Sequence, residues 1–264
     1  MRKIHLLGID CQNDFADPKG SLFVDGADKD MEALAKFIVR VGNRIDRIHM
    51  TIDSHHAFQI FHPSFWIDSN NEHPNPFTII SVDDVVSKRW STAIKDLQSK
   101  GEEYIKNLEN KGRYPLIIWP YHTIVGSWGY SIYPSVSDAI IKWEKETKKT
   151  VNYCPKGDFY LSEHYGAFEA EVPSLEDPNT MLNKPFLETL KEADELLISG
   201  EALSHCVKST VEQIADNLGE DYIKKFIFLE DTSSSVNGFE KNGIDFINVM
   251  VSRGMKVIKS TDYV

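Results

Sequence analysis

The chain has 264 residues, room for one large α/β domain or two small ones, and 41% hydrophobic with 26% charged residues is an ordinary soluble composition. A net charge of −11 with scattered Lys and Arg argues against a nucleic-acid or anionic-membrane partner, and no stretch approaches the roughly 20 apolar residues that span a bilayer. Three cysteines without a C-x-x-C pair give neither a disulfide framework nor a zinc knuckle, which points to a reducing cytoplasm and a small-molecule partner.

The start, MRKIHLLGID, has too short an apolar run for a secretory signal and reads as a first strand over 4–10. Helical spacing follows over 31–45, and IDRIHMTID (45–53) is a second strand. YPLIIWP (114–120) reads as a third strand, 137–149 as a helix and TVNYC (150–154) as a fourth strand. ADELLISG (193–200) is a fifth strand with a helix over 204–218. FIFLED (226–231) and MKVIKS (255–260) complete the set, with a helix over 239–254 between them. Such alternation predicts an α/β fold, three layers α-β-α with a mostly parallel central sheet, in a single domain over 1–264. Residues 67–113 break the rhythm: turn signals and then a charged helix make a segment too long for an ordinary connection. It reads as an insertion, a candidate lid.

Ligands of open parallel sheets bind outside the carboxyl ends of the strands, and reactive groups cluster at those ends here. Asp10 closes the first strand, Asp53 the second with His55 two residues on, and His122 lies beyond 114–120. Lys156 follows the fourth strand and Cys206 the fifth. A free cysteine is commonly a small buried hydrophobe, the reading given to Cys11 and Cys154. Cys206 sits near a helix start, where the dipole favours a thiolate. An Asp, a Lys and a Cys at converging strand ends supply a nucleophile, a proton acceptor and a cation. Asp53-x-His55 places two ligands on one side of an extended segment, and His122 from a neighbouring element completes a facial set. That set suits zinc, iron or manganese, and two imidazoles with a carboxylate do not choose among them. His62 is an additional candidate ligand, and His56 reads as a loop histidine.

Taken in order, DCQNDF with GSLFVDGA, DSHH, WPYHTIVGSWG, KGDFYLSEHYGAF and SGEALSHCV resemble the motifs of the nicotinamidase branch of the isochorismatase-like cysteine hydrolases. The resemblance spans residues 5 to about 235. It implies the isochorismatase-like fold, a catalytic triad of Asp10, Lys156 and Cys206, and metal ligands at Asp53, His55 and His122. It also implies a cis peptide at Glu201–Ala202 and an oxyanion hole from the amides of Ala202 and Cys206. Phe15, Trp119 and Tyr165 match positions of the family's aromatic pocket, and each also reads as core. The activity implied is hydrolysis of nicotinamide to nicotinate and ammonia by a metal-dependent cysteine amidohydrolase. The competing readings are a related hydrolase of another small amide, carbamoyl or ureido compound, and a non-catalytic binding module on the same fold. An isochorismatase proper is disfavoured, because that branch lacks the metal ligands and replaces the cysteine. Homo-oligomers are common in the family. The chain departs from it through the 67–113 segment, a longer spacing from Lys156 to Phe168, Thr123 in place of a cysteine, and Glu201 and His205 beside the nucleophile.

Overall fold

The structure, a computed structural model, describes residues 2–264. Six parallel strands form the central sheet: β1 (Ile4–Ile9), β2 (Arg47–Asp53), β3 (Asn152–Lys156), β4 (Glu195–Gly200), β5 (Phe226–Leu229) and β6 (Lys256–Ile258). Their order across the sheet is β6-β5-β4-β1-β2-β3. Every residue of β1 and β4 is buried, the continuous apolar run of a parallel strand covered on both faces. The expected α/β class with a mostly parallel sheet is borne out.

The long helices are α1 (Ala27–Val41), α2 (Gln98–Lys111), α3 (Pro134–Thr147), α4 (Lys184–Lys191), α5 (Lys208–Leu218) and α6 (Glu240–Ser252). Helices α1 and α3 pack on each other, as do α4 and α5. The chain first winds outward from β1 to β3, then returns to β4 on the other side of β1 and winds to β6. Right-handed crossovers therefore put the helices after β1 and those after β4 on opposite faces. The reversal lies between β1 and β4, and it opens a crevice at their carboxyl ends.

One expected strand is absent from this sheet. Within 114–120 only Leu116–Ile117 is extended, and it pairs antiparallel with Ile79–Ile80. Pro115 and Pro120 bracket the run and remove two ladder donors. Its apolar residues are apolar because they are core: Leu116, Ile117, Ile118 and Trp119 are all buried. Burial without sheet pairing gives the same run of letters as a central strand.

Residues 67–113 contain a short helix, Val82–Val86, closed by a Ser81–Asp84 capping box, and then α2, which buries Gly101, Tyr104, Ile105 and Leu108. A second antiparallel ribbon, Trp66–Ile67 with Ser91–Thr92, ties the segment to the residues before it.

Candidate active site

Register brings the first pair together. Asp53 and Lys156 are direct partners across β2 and β3, and the Lys156 ammonium lies 2.7 Å from Asp53 Oδ1. The same ammonium is 2.9 Å from Asp10 Oδ2, donates to the His164 carbonyl at 2.9 Å, and stands 3.9 Å from Cys206 Sγ. Asp10 has φ of +47° directly after β1, and Thr51 holds it at both ends: the threonine hydroxyl accepts the Asp10 amide and donates to Oδ1. Lys156 and both carboxylates are buried.

Burial alone would neutralise Lys156, but Asp10 and Asp53 outweigh it and keep the ammonium charged. Burial would also raise Asp53, yet His55 and Lys156 prevail and hold it well below the usual carboxylate range. For Asp10 burial wins over Lys156, and its pKa rises.

Cys206 lies in a wide π-helical turn, Leu203–Val207, that leads into α5. The sequence pointed to a dipole-stabilised thiolate there. Instead burial pushes the thiol well above its ordinary value, with Lys156 opposing and Asp10 adding to the rise. At rest Cys206 is a thiol beside the Asp10 carboxyl group. Gly200 permits the approach of this segment to β1: a Cβ there would fall 2.0 Å from the Ile9 carbonyl, which accepts the Glu201 amide at 2.8 Å. The Glu201–Ala202 peptide is cis. The Glu201 side chain points away from the nucleophile, to the Ser234 amide and to Asp30 on α1.

On the other side of Lys156, Asp53 Oδ2 lies 2.8 Å from His55 Nε2 and 3.7 Å from His122 Nε2. One ligand atom from each of the three residues falls within 4.8 Å of the others. Each imidazole is oriented from behind. His55 Nδ1 is 2.9 Å from the Gly157 carbonyl, His122 Nδ1 is 2.8 Å from Pro120 O, and His62 Nδ1 is 2.9 Å from His56 O. Those bonds put a proton on each Nδ1. Burial opposes charge on His55, but Asp53 outweighs it and raises its pKa, so His55 Nε2 shares a proton with Asp53 Oδ2 in a place that a bound cation would take. His62 Nε2 is buried without a partner, and its ring lies 5.7 Å from that of His122. Burial and the neighbouring His122 push His62 down to about 2, while burial and His55 push His122 down to about 4, so both imidazoles stay neutral. His56 is exposed, as its loop position suggested. Gly157 must be glycine here, since its φ is +84° and a Cβ would lie 2.8 Å from His55 Cε1.

His122 is on a loop rather than a strand end, and DCQNDF fixes that loop. Asp14 Oδ2 accepts the Thr123 amide at 2.6 Å, and Thr123 holds φ of +46° next to His122. Gln12 grips Asp53 by its main chain, accepting its amide at 2.7 Å and donating to its carbonyl at 2.8 Å. Sequence reasoning singled out this motif but gave roles only to Asp10 and Phe15, not to Gln12 or Asp14. Thr51 was missed too, although Thr51, Asp53 and His55 alternate along one face of β2 and its extension.

Of the proposed pocket residues, Trp119 donates from Nε1 to Tyr165 Oη at 2.9 Å, and Phe15 lies edge-on to His122 at 5.5 Å. All three are buried. His205 joins them, 5.4 Å from Trp119 and 5.3 Å from Tyr165, with burial and Lys208 lowering it to about 3. Phe77, from the 67–113 segment, meets Trp119 edge-on at 5.9 Å. Cys11 and Cys154 are buried at the sheet, away from these roles.

No protein-family model matches the chain. The nicotinamidase of Saccharomyces cerevisiae is 26% identical over 211 residues, 80% of this chain and 81% of that protein. The structure of the yeast nicotinamidase superposes with a TM-score of 0.66 at 20% identity, covering 97% of this chain and 99% of that one. The chain has the nicotinamidase fold. The pyrazinamidase of Pyrococcus horikoshii, solved in complex with zinc, shares that fold with a TM-score of 0.56 at 17% identity, covering 97% of this chain and 99% of that one. The resemblance drawn from the motifs therefore stands. Within the nicotinamidase fold, the cluster of Asp10, Lys156 and Cys206 occupies the crevice between β1 and β4.

Proposed function

We propose that the protein is a metal-dependent amidohydrolase that converts nicotinamide and water to nicotinate and ammonia through a thioester on Cys206. The observation that carries this reading is the Lys156 ammonium, which bridges Asp10 and Asp53 and reaches the Cys206 thiol, so that the nucleophile and the cation ligands share one site.

Asp10 takes the proton of the Cys206 thiol, and Lys156 stabilises the thiolate as its sulfur attacks the amide carbonyl carbon. The amides of Ala202 and Cys206 receive the oxyanion. Among the described residues no protein acceptor takes the Ala202 amide. The C–N bond then breaks, with the Asp10 proton passing to the departing ammonia. A water gives its proton to Asp10 and attacks the thioester; the C–S bond breaks, and the proton returns to the thiolate. Asp53, His55 and His122 would hold a divalent cation, with His62 beside them. The donor set fits zinc, iron or manganese, and the zinc of the Pyrococcus pyrazinamidase favours zinc among them. When bound, the cation supplies a Lewis acid for a pyridine nitrogen and so orients the ring. Trp119, Tyr165 and Phe15 wall that ring, and the 67–113 segment covers the pocket through Phe77. Three free cysteines suit a cytoplasmic enzyme of NAD salvage.

The test is ammonia release from nicotinamide by purified protein, with bound metal quantified and Cys206→Ala as control. Release by the wild type alone is the expected outcome. Absence of release from metal-loaded wild type overturns the reading, and a panel of carbamoyl and ureido compounds then identifies the substrate class.

A further inference from the structure

Arg113 and Tyr114 lie where the inserted segment rejoins the chain. Tyr114 is 4% exposed, and its hydroxyl donates to the Ser204 carbonyl at 2.9 Å, two residues before the nucleophile. Its ring stacks on His205 at 5.1 Å and 22°, and the Lys208 ammonium stands 5.2 Å from the ring centroid. Arg113 donates to Ser209 Oγ at 3.0 Å and pairs with Glu212 at 3.4 Å. Two consecutive residues thus hold a stripe that runs from the wide turn into α5, with Cys206 between the held positions.

The turn needs such support, because its own bonding is irregular. The amides of His205 and Val207 share the Ala202 carbonyl, at 3.0 and 3.2 Å. The Ser204 side chain accepts the Val236 amide at 3.0 Å from outside the turn and lies 2.9 Å from His205 Nδ1 within it. Bonds from Tyr114 and Val236 to Ser204 therefore help set where the thiol and the two oxyanion amides lie.

We propose that Tyr114 is a positioning residue for the Cys206 turn, through which the inserted segment is coupled to the nucleophile. This rests on Cys206 being the nucleophile. Removing only the hydroxyl leaves the ring stacked but frees the Ser204 carbonyl. Loss of one hydrogen bond of ordinary strength corresponds to a change of about fivefold in rate.

The experiment compares Tyr114→Phe with wild type in three measurements. These are steady-state ammonia release from nicotinamide, the rate of iodoacetamide labelling of the Cys206 peptide with Cys11 and Cys154 as internal references, and the thermal unfolding midpoint. The expected result is a fall of about fivefold in kcat and in Cys206 labelling, with KM held and the midpoint lowered by no more than a few degrees, as loss of one buried hydrogen bond requires. Unchanged kcat and labelling overturn the proposal. So does a rise in KM alone, which would mark a substrate contact, or faster labelling of all three cysteines, which would mark general loosening. If wild type releases no ammonia, the proposed reaction fails while the labelling rates still decide the role of Tyr114.

Discussion

Asp10 is wholly buried, so its carboxylate loses the support of water, while Lys156 at 2.9 Å and the Thr51 hydroxyl pull its pKa back down. Burial wins, and Asp10, the base of the proposed reaction, ionises above the usual carboxylate range. As Asp10 must be ionised to take the thiol proton, activity disappears as pH falls through that raised value. Thr51→Val removes one hydrogen bond to the ionised form at nearly constant volume and leaves both ion pairs in place. The acid limb of kcat/KM should then move to higher pH by up to about one unit, the size of a hydrogen bond of about 1 kcal/mol. A pH–rate profile measured against wild type decides this, and superimposable acid limbs would show that Thr51 does not tune the base.

At the scale of elements, β2 and the loop after Pro120 carry the proposed cation ligands, and neither is self-sufficient. Asp14 reaches the loop through Thr123, and Gln12 reaches the end of β2 through the main chain of Asp53. Asp14→Asn replaces the acceptor of the Thr123 amide with a weaker one and should lower affinity for a divalent cation about 10–100-fold, the range for groups that orient ligands. Titration of metal-stripped protein with zinc, read by competition with a chelator, measures it. An unchanged affinity would mean that the loop holds His122 without Asp14. The strand ends could be read from the sequence because strands buried on both faces spell apolar runs, and the polar residues at the end of each run mark the crevice. The segment at 114–120 could not, since its apolar letters report burial rather than pairing in the central sheet. The role of Tyr114 was equally hidden, because it depends on a contact with Ser204, far along the chain, that no local pattern encodes.

Across the whole molecule, the same sheet that aims polar groups at its carboxyl ends also buries a polar chain at its other end. Asn152 on β3 donates to His49 Nδ1 on β2, and His49 Nε2 lies 3.1 Å from His5 Nδ1 on β1. The order of donors fixes both rings as neutral. Burial lowers His5 to about 4 and His49 to about 3, with Arg47 adding to the first and His5 to the second. In the unfolded chain both would titrate near the ordinary histidine value of about 6.5. The folded pKa values are depressed, so their contribution to stability is fully present above pH of about 6.5. Below it the unfolded state binds protons that the folded state refuses, and stability falls by about 1.4 kcal/mol per pH unit for each ring until the folded pKa is reached. Glu163, raised to about 7 by burial, titrates in the opposite sense and offsets part of the loss. His49→Gln isolates the pair without touching the crevice. In urea unfolding, wild type should lose about 2 kcal/mol more than the variant between pH 7 and pH 5, so the gap in stability between the two proteins narrows as the solution is acidified. Parallel slopes would mean that His49 takes up its proton without unfolding, as would happen if the edge strand β3 opened locally and let water reach the ring.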